Sequence, residues 1–367
     1  MLNLAARMLS KEKNKTILTI LSVGVVLMLI MFLAGIYEGV RSGATGYVAN
    51  SPADLWICQK NSTNLLRSSS FLSSGLIEDL SSTNGVNKVE GILRIITTAN
   101  IQDKVVTLFV FGIEQNAELA KPLVVEGKSD LRKGEIIIDV SFAKRNKLKL
   151  NSRITIQNRE FLIIGFSTGT NATVAQFSFI TLEDSQELLG FENIVSFLLV
   201  KSTKGNKAKT LETLAVKYDE LAVYEKKAFI GNTIEEMETG VLPILFTIAI
   251  LGFITGGLII TLVLYSSIVE RREDYALMKA LRMSQSQITF LVMKQSVLIS
   301  FLGFGTGLVS FAFCALLLKD LMPEINVRLT GLIIFYDFLI SVLLGTAGSL
   351  VSIKKLSSIY PAEVFRA

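Results

Sequence analysis

Apolar residues in this chain gather into four long runs, separated by polar stretches of very unequal length. Residues 16–38 hold the first, which includes ILTILSVGVVLMLIMFLAGIY, and 241–268, 289–318 and 332–353 hold the others. A helix rising 1.5 Å per residue needs about 20 residues to cross roughly 30 Å of hydrocarbon, and each run supplies them. The first run is longer than the core of a signal peptide, and no A-x-A site follows, so it reads as an uncleaved span. The second is entered at Pro243, acceptable in a first helical turn.

Residues 39–240, between the first two runs, are patterned like a water-soluble domain. KVEGILRIITTANI and VVTLFVFGI, on either side of Gln102-Asp103, alternate and are rich in β-branched residues, which predicts a hairpin. GEIIIDVSFAKRNKLKLNSRITIQNREFLIIGF predicts a strand, a short helix over 141–147, a strand, a turn at Gln157-Asn158 and a further strand. Surface helices are expected over 181–189 and 207–218, and Trp56, the single tryptophan, as a core anchor. The expected fold class is an α-helical membrane protein with four transmembrane helices and one α+β domain inserted between helices 1 and 2.

Composition and charge sharpen this picture. The chain of 367 residues is 50% hydrophobic, too apolar for an ordinary soluble protein. Basic residues crowd three short polar segments: Arg7, Lys11, Lys13 and Lys15 in 1–15, Arg271, Arg272, Lys279 and Arg282 in 269–288, and Lys354, Lys355 and Arg366 in 354–367. The 319–331 loop instead balances its charges with Asp320 and Glu324. The positive-inside rule then puts both termini in the cytoplasm and residues 39–240 outside. Residues 1–15 are either an amphipathic surface helix or a basic segment that sets orientation. The chain has no histidine, hence no Ser-His or Cys-His pair and no histidine ligand for zinc. Cys58 and Cys314 lie in segments of opposite character and read as unbridged. No basic stripe with interleaved aromatics points to nucleic acid. Neither catalytic nor metal-binding residues are expected.

Residues 269–288 are a dense block of charge beside an apolar run. Tyr275, Leu277, Met278 and Leu281 recur at helical spacing, which predicts an amphipathic helix continuing from the second span. By periodicity alone it is either a solvated loop helix or a docking element. VERREDYALMKALRMSQSQI resembles a signature of the FtsX-like/MacB-like permease family of ABC systems, close to E-R-R-x-E-x-x-x-x-[KR]-A-L-G-x-[ST]-x-x-x-I. The match holds at Glu270, Arg271, Arg272, Lys279, Ala280, Leu281, Ser284 and Ile288. It departs at Asp274 beside Glu273, and at Arg282, where the family commonly has glycine. Tyr360-Pro361-Ala362-Glu363 resembles the family's carboxy-terminal D-P-A-E, and Lys354-Lys355 its basic pair. GEIIIDVSFAKRNKLKLNSRITI resembles its extracytoplasmic domain.

The resemblance covers nearly the whole chain and implies a permease subunit, not itself an enzyme, in a bacterial cytoplasmic membrane. Its α+β domain would be a MacB-like periplasmic core. A separate ABC ATPase, binding the ATP and magnesium, would dock on Glu270, Arg271, Arg272, Glu273, Lys279, Ala280 and Leu281. The tail residues Lys354, Lys355, Pro361 and Glu363 would lie beside it. No ATP site is expected in this chain: at Gly127-Lys128-Ser129 the upstream glycine of a phosphate loop is replaced by Pro122. A second copy or a paralogous permease is the expected dimer partner, with Gly252 and Gly256 as the candidate face and Gly303 and Gly307 as a second small-residue pair. A periplasmic adaptor and membrane lipids complete the partners. Two roles stay open. One is mechanotransmission that drives efflux or extraction of a lipid, lipoprotein, peptide or drug. The other is an FtsX-type signalling module that activates an extracellular partner such as a cell-wall hydrolase. Asp337, about 17 residues before Lys354 and beside Phe335 and Tyr336, is expected among the outer headgroups. No row of polar residues is read in spans two to four.

Overall fold

The computed structural model describes residues 13–357 except 67, 102, 103, 174, 241 and 271, with the backbone alone at 260, 263, 264, 267, 268, 272, 348 and 350–357. The chain divides into two compact units. A helical unit takes the residues up to Glu38, Leu242–Leu318 and those from Val327; an α/β unit takes Gly39–Val241 and Lys319–Asn326.

Helix α1 (Lys13–Asn50) opens the described chain and enters the α/β unit at Gly39. There follow β1 (Leu55–Gln59), β2 (Leu72–Ser73), α2 (Leu76–Ser81), β3 (Val86–Ile101), β4 (Lys104–Ile113), β5 (Leu123–Gly127) and β6 (Glu135–Asp139). Next come α3 (Val140–Arg145), β7 (Arg153–Ile156), β8 (Arg159–Thr168), β9 (Phe177–Thr181), α4 (Leu182–Leu189) and β10 (Ile194–Val195). The unit closes with β11 (Phe197–Ser202), α5 (Lys207–Lys217), β12 (Leu221–Glu225) and α6 (Lys226–Gly240). Among the described residues one sheet runs in the order β12-β1-β11-β3-β4-β9-β6-β8-β5, with β7 joining β3 and β8. The expected hairpin forms: β3 and β4 pair in register from Ile92↔Ile113 to Ile101↔Lys104, while Gln102-Asp103 lies outside the described residues. The expected turn at Gln157-Asn158 also forms, joining β7 to β8 with Ile156↔Arg159 paired and Gln157 at φ 53°.

Strand alternation divides the core. Trp56, Phe111, Ile137, Phe177, Phe179 and Leu199 face one side, in a single aromatic cluster covered by Ala44, Tyr47 and Val48 of α1 and Phe229 of α6. Their neighbours face the other side, in two clusters, one under Phe142 of α3 and one under Leu80 of α2 and Leu214 of α5. Trp56 is wholly buried, stacked on Phe229 at 5.2 Å and edge-on to Tyr47 at 6.3 Å. Two polar clamps hold the end of α1. The Tyr47 hydroxyl donates to the Ala120 carbonyl and the Ser51 hydroxyl to that of Leu119, at 2.6 and 2.7 Å. The same loop is pinned from below by buried Glu90, whose carboxylate accepts from the backbone N–H groups of Glu118, Leu119 and Ala120.

The helix does not stop where the first apolar run ends. Its continuation carries Gly43 and Gly46, which cost helix stability in isolation but let α1 lie directly on the loop after β8. A Cβ on Gly46 would stand 2.6 Å from the Gly169 carbonyl oxygen, and one on Gly43 would overlap that of Asn171.

The helical unit holds the first part of α1, α7 (Leu242–Glu270), α8 (Arg272–Ala280), α9 (Gln285–Leu321) and α10 (Gly331–Ser357). Of these, α1, α7 and α9 are long and apolar enough to cross a membrane, and the described apolar stretch of α10 is Gly331–Ala347. Val23, Leu27 and Met31 pack with Ile299, Phe311 and Leu344. Small residues bring the backbones together. A Cβ on Gly256 would be 2.6 Å from Val26 Cγ1, one on Gly303 as close to Val23, and one on Gly307 2.9 Å from the Gly24 carbonyl oxygen. The Gly252/Gly256 face is thereby occupied by α1 of the same protomer, which corrects its reading as the dimer face. What α7 leaves exposed is a larger apolar surface including Leu251, Ile254, Leu258 and Leu262.

Asp337 also differs from expectation. It is 2% exposed, and among the described residues neither carboxyl oxygen has a hydrogen-bond partner. One turn on, the Ser341 hydroxyl donates to the Ser300 carbonyl, and Phe338 meets Phe304 edge-on at 5.4 Å. Phe304 lies about 15 Å along α9 from Lys294 and about 22 Å from Lys319, at 1.5 Å per residue. The carboxyl therefore sits inside the helical bundle, beside the central part of α9, and not on the bundle's surface. It heads a buried row with Ser296, Ser300, Ser341 and Ser349, so a polar set in these helices does exist. Ser296 and Ser349 donate to carbonyls of their own helices and Ser341 to one of α9, so these three hydroxyls are satisfied within the bundle.

Candidate functional site

The charged segment between α7 and α9 folds as an elbow. The helix expected over 269–288 ends short: α8 covers Arg272–Ala280, and α9 begins at Gln285. The break has a local cause. Arg282 takes φ 64°, the left-handed conformation at which glycine carries no penalty. Its N–H bonds the Lys279 carbonyl and that of Met283 bonds Met278, both at 3.0 Å, which is the Schellman pattern of a helix end. Ser284 then starts α9 with a capping box. Its hydroxyl accepts from the Gln287 N–H, while the Gln287 side chain accepts from the Ser284 N–H at 2.9 Å. The serine of the sequence signature is this cap.

With its C-terminal end fixed, α8 is anchored on one side and open on the other. Tyr275 and Ala276 are buried against Ile288, Leu291 and Val292 of α9, and Met278 and Met283 pack beside them. Leu277 is 50% exposed and Leu281 72%. With Glu273 and Ala280, both exposed, they lie on the opposite face at helical spacing. The apolar stripe foreseen in the sequence is thus two stripes: Tyr275 and Met278 hold α8 down, and Leu277 and Leu281 face out.

The other expected site residues fall as follows. Glu270 accepts from Lys15 of α1 and from the Ser266 hydroxyl, so it is bound within the helical unit. Lys279 is half-buried. Arg271 lies outside the described residues, and Arg272, Lys354 and Lys355 are described by backbone alone, the last two within α10. Pro361, Glu363 and residues 1–12 lie outside the described residues. Leu277, which the sequence places only in the apolar stripe, joins the exposed face. Its signal was the four-residue spacing from Glu273 and to Leu281. Gly127-Lys128-Ser129 marks the end of β5, where Gly127 (φ 87°) lies close against the Ile164 carbonyl, which accepts from the Lys128 N–H at 2.8 Å.

Comparison with known proteins matches two family models to successive parts of the chain. The MacB-like periplasmic core domain matches residues 16–217, and the FtsX-like permease C-terminal domain matches residues 246–361. The chain belongs to the MacB/FtsX-like permeases of ABC transporters. It is a membrane protein with an extracellular domain. An uncharacterized ABC transporter permease of Mycobacterium tuberculosis, found in strains CDC 1551 and H37Rv, is 21% identical over 368 residues, covering 100% of this chain and 99% of the relative. Among solved structures, the chain is similar to the extracellular domain of the noncanonic ABC-type transporter YknZ from Gram-positive bacteria. That match has 15% identity and a TM-score of 0.38, over 47% of this chain and 100% of that one. It is also similar to the periplasmic region of MacB from Actinobacillus actinomycetemcomitans, with 15% identity and a TM-score of 0.40, over 55% and 97%.

Proposed function

We propose that this subunit couples ATP hydrolysis in a separate ABC ATPase to movement of its α/β unit, as one half of a dimeric permease that drives export of a lipid, lipoprotein, peptide or drug. The observation that carries the reading is the open face of α8. Leu277 and Leu281 stand exposed beside Glu273 on a helix whose C-terminal end is fixed, next to Arg271 and Arg272 in sequence. An apolar anchor with a charged rim is the composition of a protein-docking surface. A rigid helix on a rigid foot transmits a push that a loop would absorb.

In this reading α1, α7, α9 and α10 are four spans, both termini and α8 are cytoplasmic, and the α/β unit is outside a bacterial cytoplasmic membrane. The partner holds the ATP and magnesium. Lys354, Lys355, Pro361 and Glu363 lie near the docked ATPase, and the dimer contact is the exposed face of α7. The test is affinity purification of the full chain from its native membrane in detergent, followed by mass spectrometry. A small ABC ATPase is expected to co-purify, and an adaptor protein with it supports export. Recovery of a cell-wall hydrolase in place of the adaptor would favour the signalling role. No ATPase even after cross-linking would reject coupling.

A further inference from the structure

Two stretches of chain that adjoin the apolar helices end on the same small loop of the α/β unit, the residues between β8 and β9. The first is α1, whose Gly43 and Gly46 lie against the backbone of Asn171 and Gly169. The second is the connection between α9 and α10, whose residues Lys319–Asn326 belong to the α/β unit. From it the Glu324 carbonyl accepts from Asn171 Nδ2 at 3.0 Å, and the Glu324 carboxylate pairs with Arg145 Nη1 at 3.1 Å. In that pair the Arg145 side chain is 59% exposed and the Glu324 side chain only 18%, and the second Glu324 oxygen is buried with no partner among the described residues.

The contacts close a circuit. Arg145 stands in the last turn of α3, and α3 starts from Asp139, whose Oδ1 accepts from the Ser141 N–H at 2.8 Å. The other oxygen of Asp139, itself buried, accepts from the Thr170 hydroxyl at 2.6 Å, and Thr170 adjoins Asn171. Asn171 is fixed in turn by accepting from the Thr173 N–H at 2.8 Å. A displacement of Glu324 therefore reaches both the start of β9, through Asn171, and the end of β6, through α3 and Asp139.

We propose that the 319–326 connection is a second mechanical input into the α/β unit, beside α1, with Glu324 as its contact and Arg145 and Asn171 as the positioning residues that receive it. This rests on the coupling reading above, and the experiment separates the two. The full chain, co-purified with its ATPase and placed in nanodiscs, is followed by hydrogen exchange with and without ATP, in the wild type, R145K, R145E, E324R and R145E/E324R. In the wild type, ATP is expected to change exchange both in residues 39–50 and in residues 169–176. In each charge reversal the 169–176 response falls at least three-fold, while the 39–50 response and ATP turnover stay. R145K and the swapped double variant recover it. Trp56 fluorescence checks that the variants fold. A wild-type response at 169–176 in both reversals, or no recovery in the swap, overturns the second input alone. If ATP changes exchange nowhere in the wild-type α/β unit, the coupling reading itself fails and the proposal with it.

Discussion

Replacing Gly43 by alanine tests how α1 enters the α/β unit. An added methyl there meets the carbonyl oxygen and carbon of Asn171 and the Cα of Ala172, all backbone, so no side chain can swing aside. Overpacking of this kind costs about 1–3 kcal/mol, whereas Gly→Ala in a helix interior returns about 1 kcal/mol. The net loss is then up to about 2 kcal/mol, its upper end reached if the loop gives little. Gly231 is the control, because it lies inside α6 with open space where a Cβ would be. There the same substitution keeps only the helix gain of about 1 kcal/mol. The assay is intrinsic to the chain: Trp56 is its single tryptophan and packs against Tyr47, one turn from Gly43 on α1. For a unit of this size 1 kcal/mol moves a thermal midpoint by about 2–4 °C. Gly43→Ala should lower the Trp56 midpoint by several degrees and Gly231→Ala should raise it. If Gly43→Ala raises the midpoint as much as Gly231→Ala, α1 does not lie on the 169–172 loop.

Three further outcomes are expected. Glu90→Ala strands two buried N–H groups, of Leu119 and Ala120, and the part-buried one of Glu118, at about 1–3 kcal/mol for each buried group, so urea titration should show a loss of at least about 2 kcal/mol. Burial tends to raise the pKa of Asp54, but hydrogen bonds from Ser202 and Lys201 outweigh it and hold the carboxyl below its ordinary value. Its stabilisation is then full above the unfolded pKa of about 4 and fades as pH falls through the lowered folded value. Asp54→Asn should flatten that part of a stability-against-pH curve, and an unchanged curve would exclude the linkage. Leu277→Asp and Leu281→Asp remove exposed side chains, so the fold should shift by no more than about 0.5 kcal/mol. Losing an interface anchor costs about 1–2 kcal/mol or more, so ATPase recovery should fall roughly ten-fold, as it should for the Arg271→Glu/Arg272→Glu pair. Full recovery in all of them would move the docking site elsewhere.

Local chemistry was legible where it depends on near neighbours along the chain. Alternation gave the β3–β4 hairpin and the turn-like Gln157-Asn158 gave the β7–β8 connection, whereas the cap at Ser284 falls inside the helix expected over 269–288. Features that depend on what a backbone meets in space were not legible. Gly43 and Gly46 look like helix breakers until the loop they lie on is known. Gly252 and Gly256 mark a close helix approach, but the pattern does not say whether the partner is α1 or a second protomer. Leu277 and Tyr275 are both apolar and differ only in which face α9 covers. Asp337 was counted from one end of its own helix, whereas its depth is set by its neighbours on α9. Arg282 was read as a departure from a glycine position. The conformation is kept and the arginine bears its cost.

The central claim is that ATP turnover in a partner moves the α/β unit. Spin labels at Lys209→Cys, exposed on α5, would report the distance between the α/β units of two protomers in the reconstituted complex. The account predicts a distance distribution that shifts on ATP binding, and no shift in the Arg271→Glu/Arg272→Glu variant. ATP hydrolysed at the full rate by the complex, with the distance unchanged in the wild type, would contradict it.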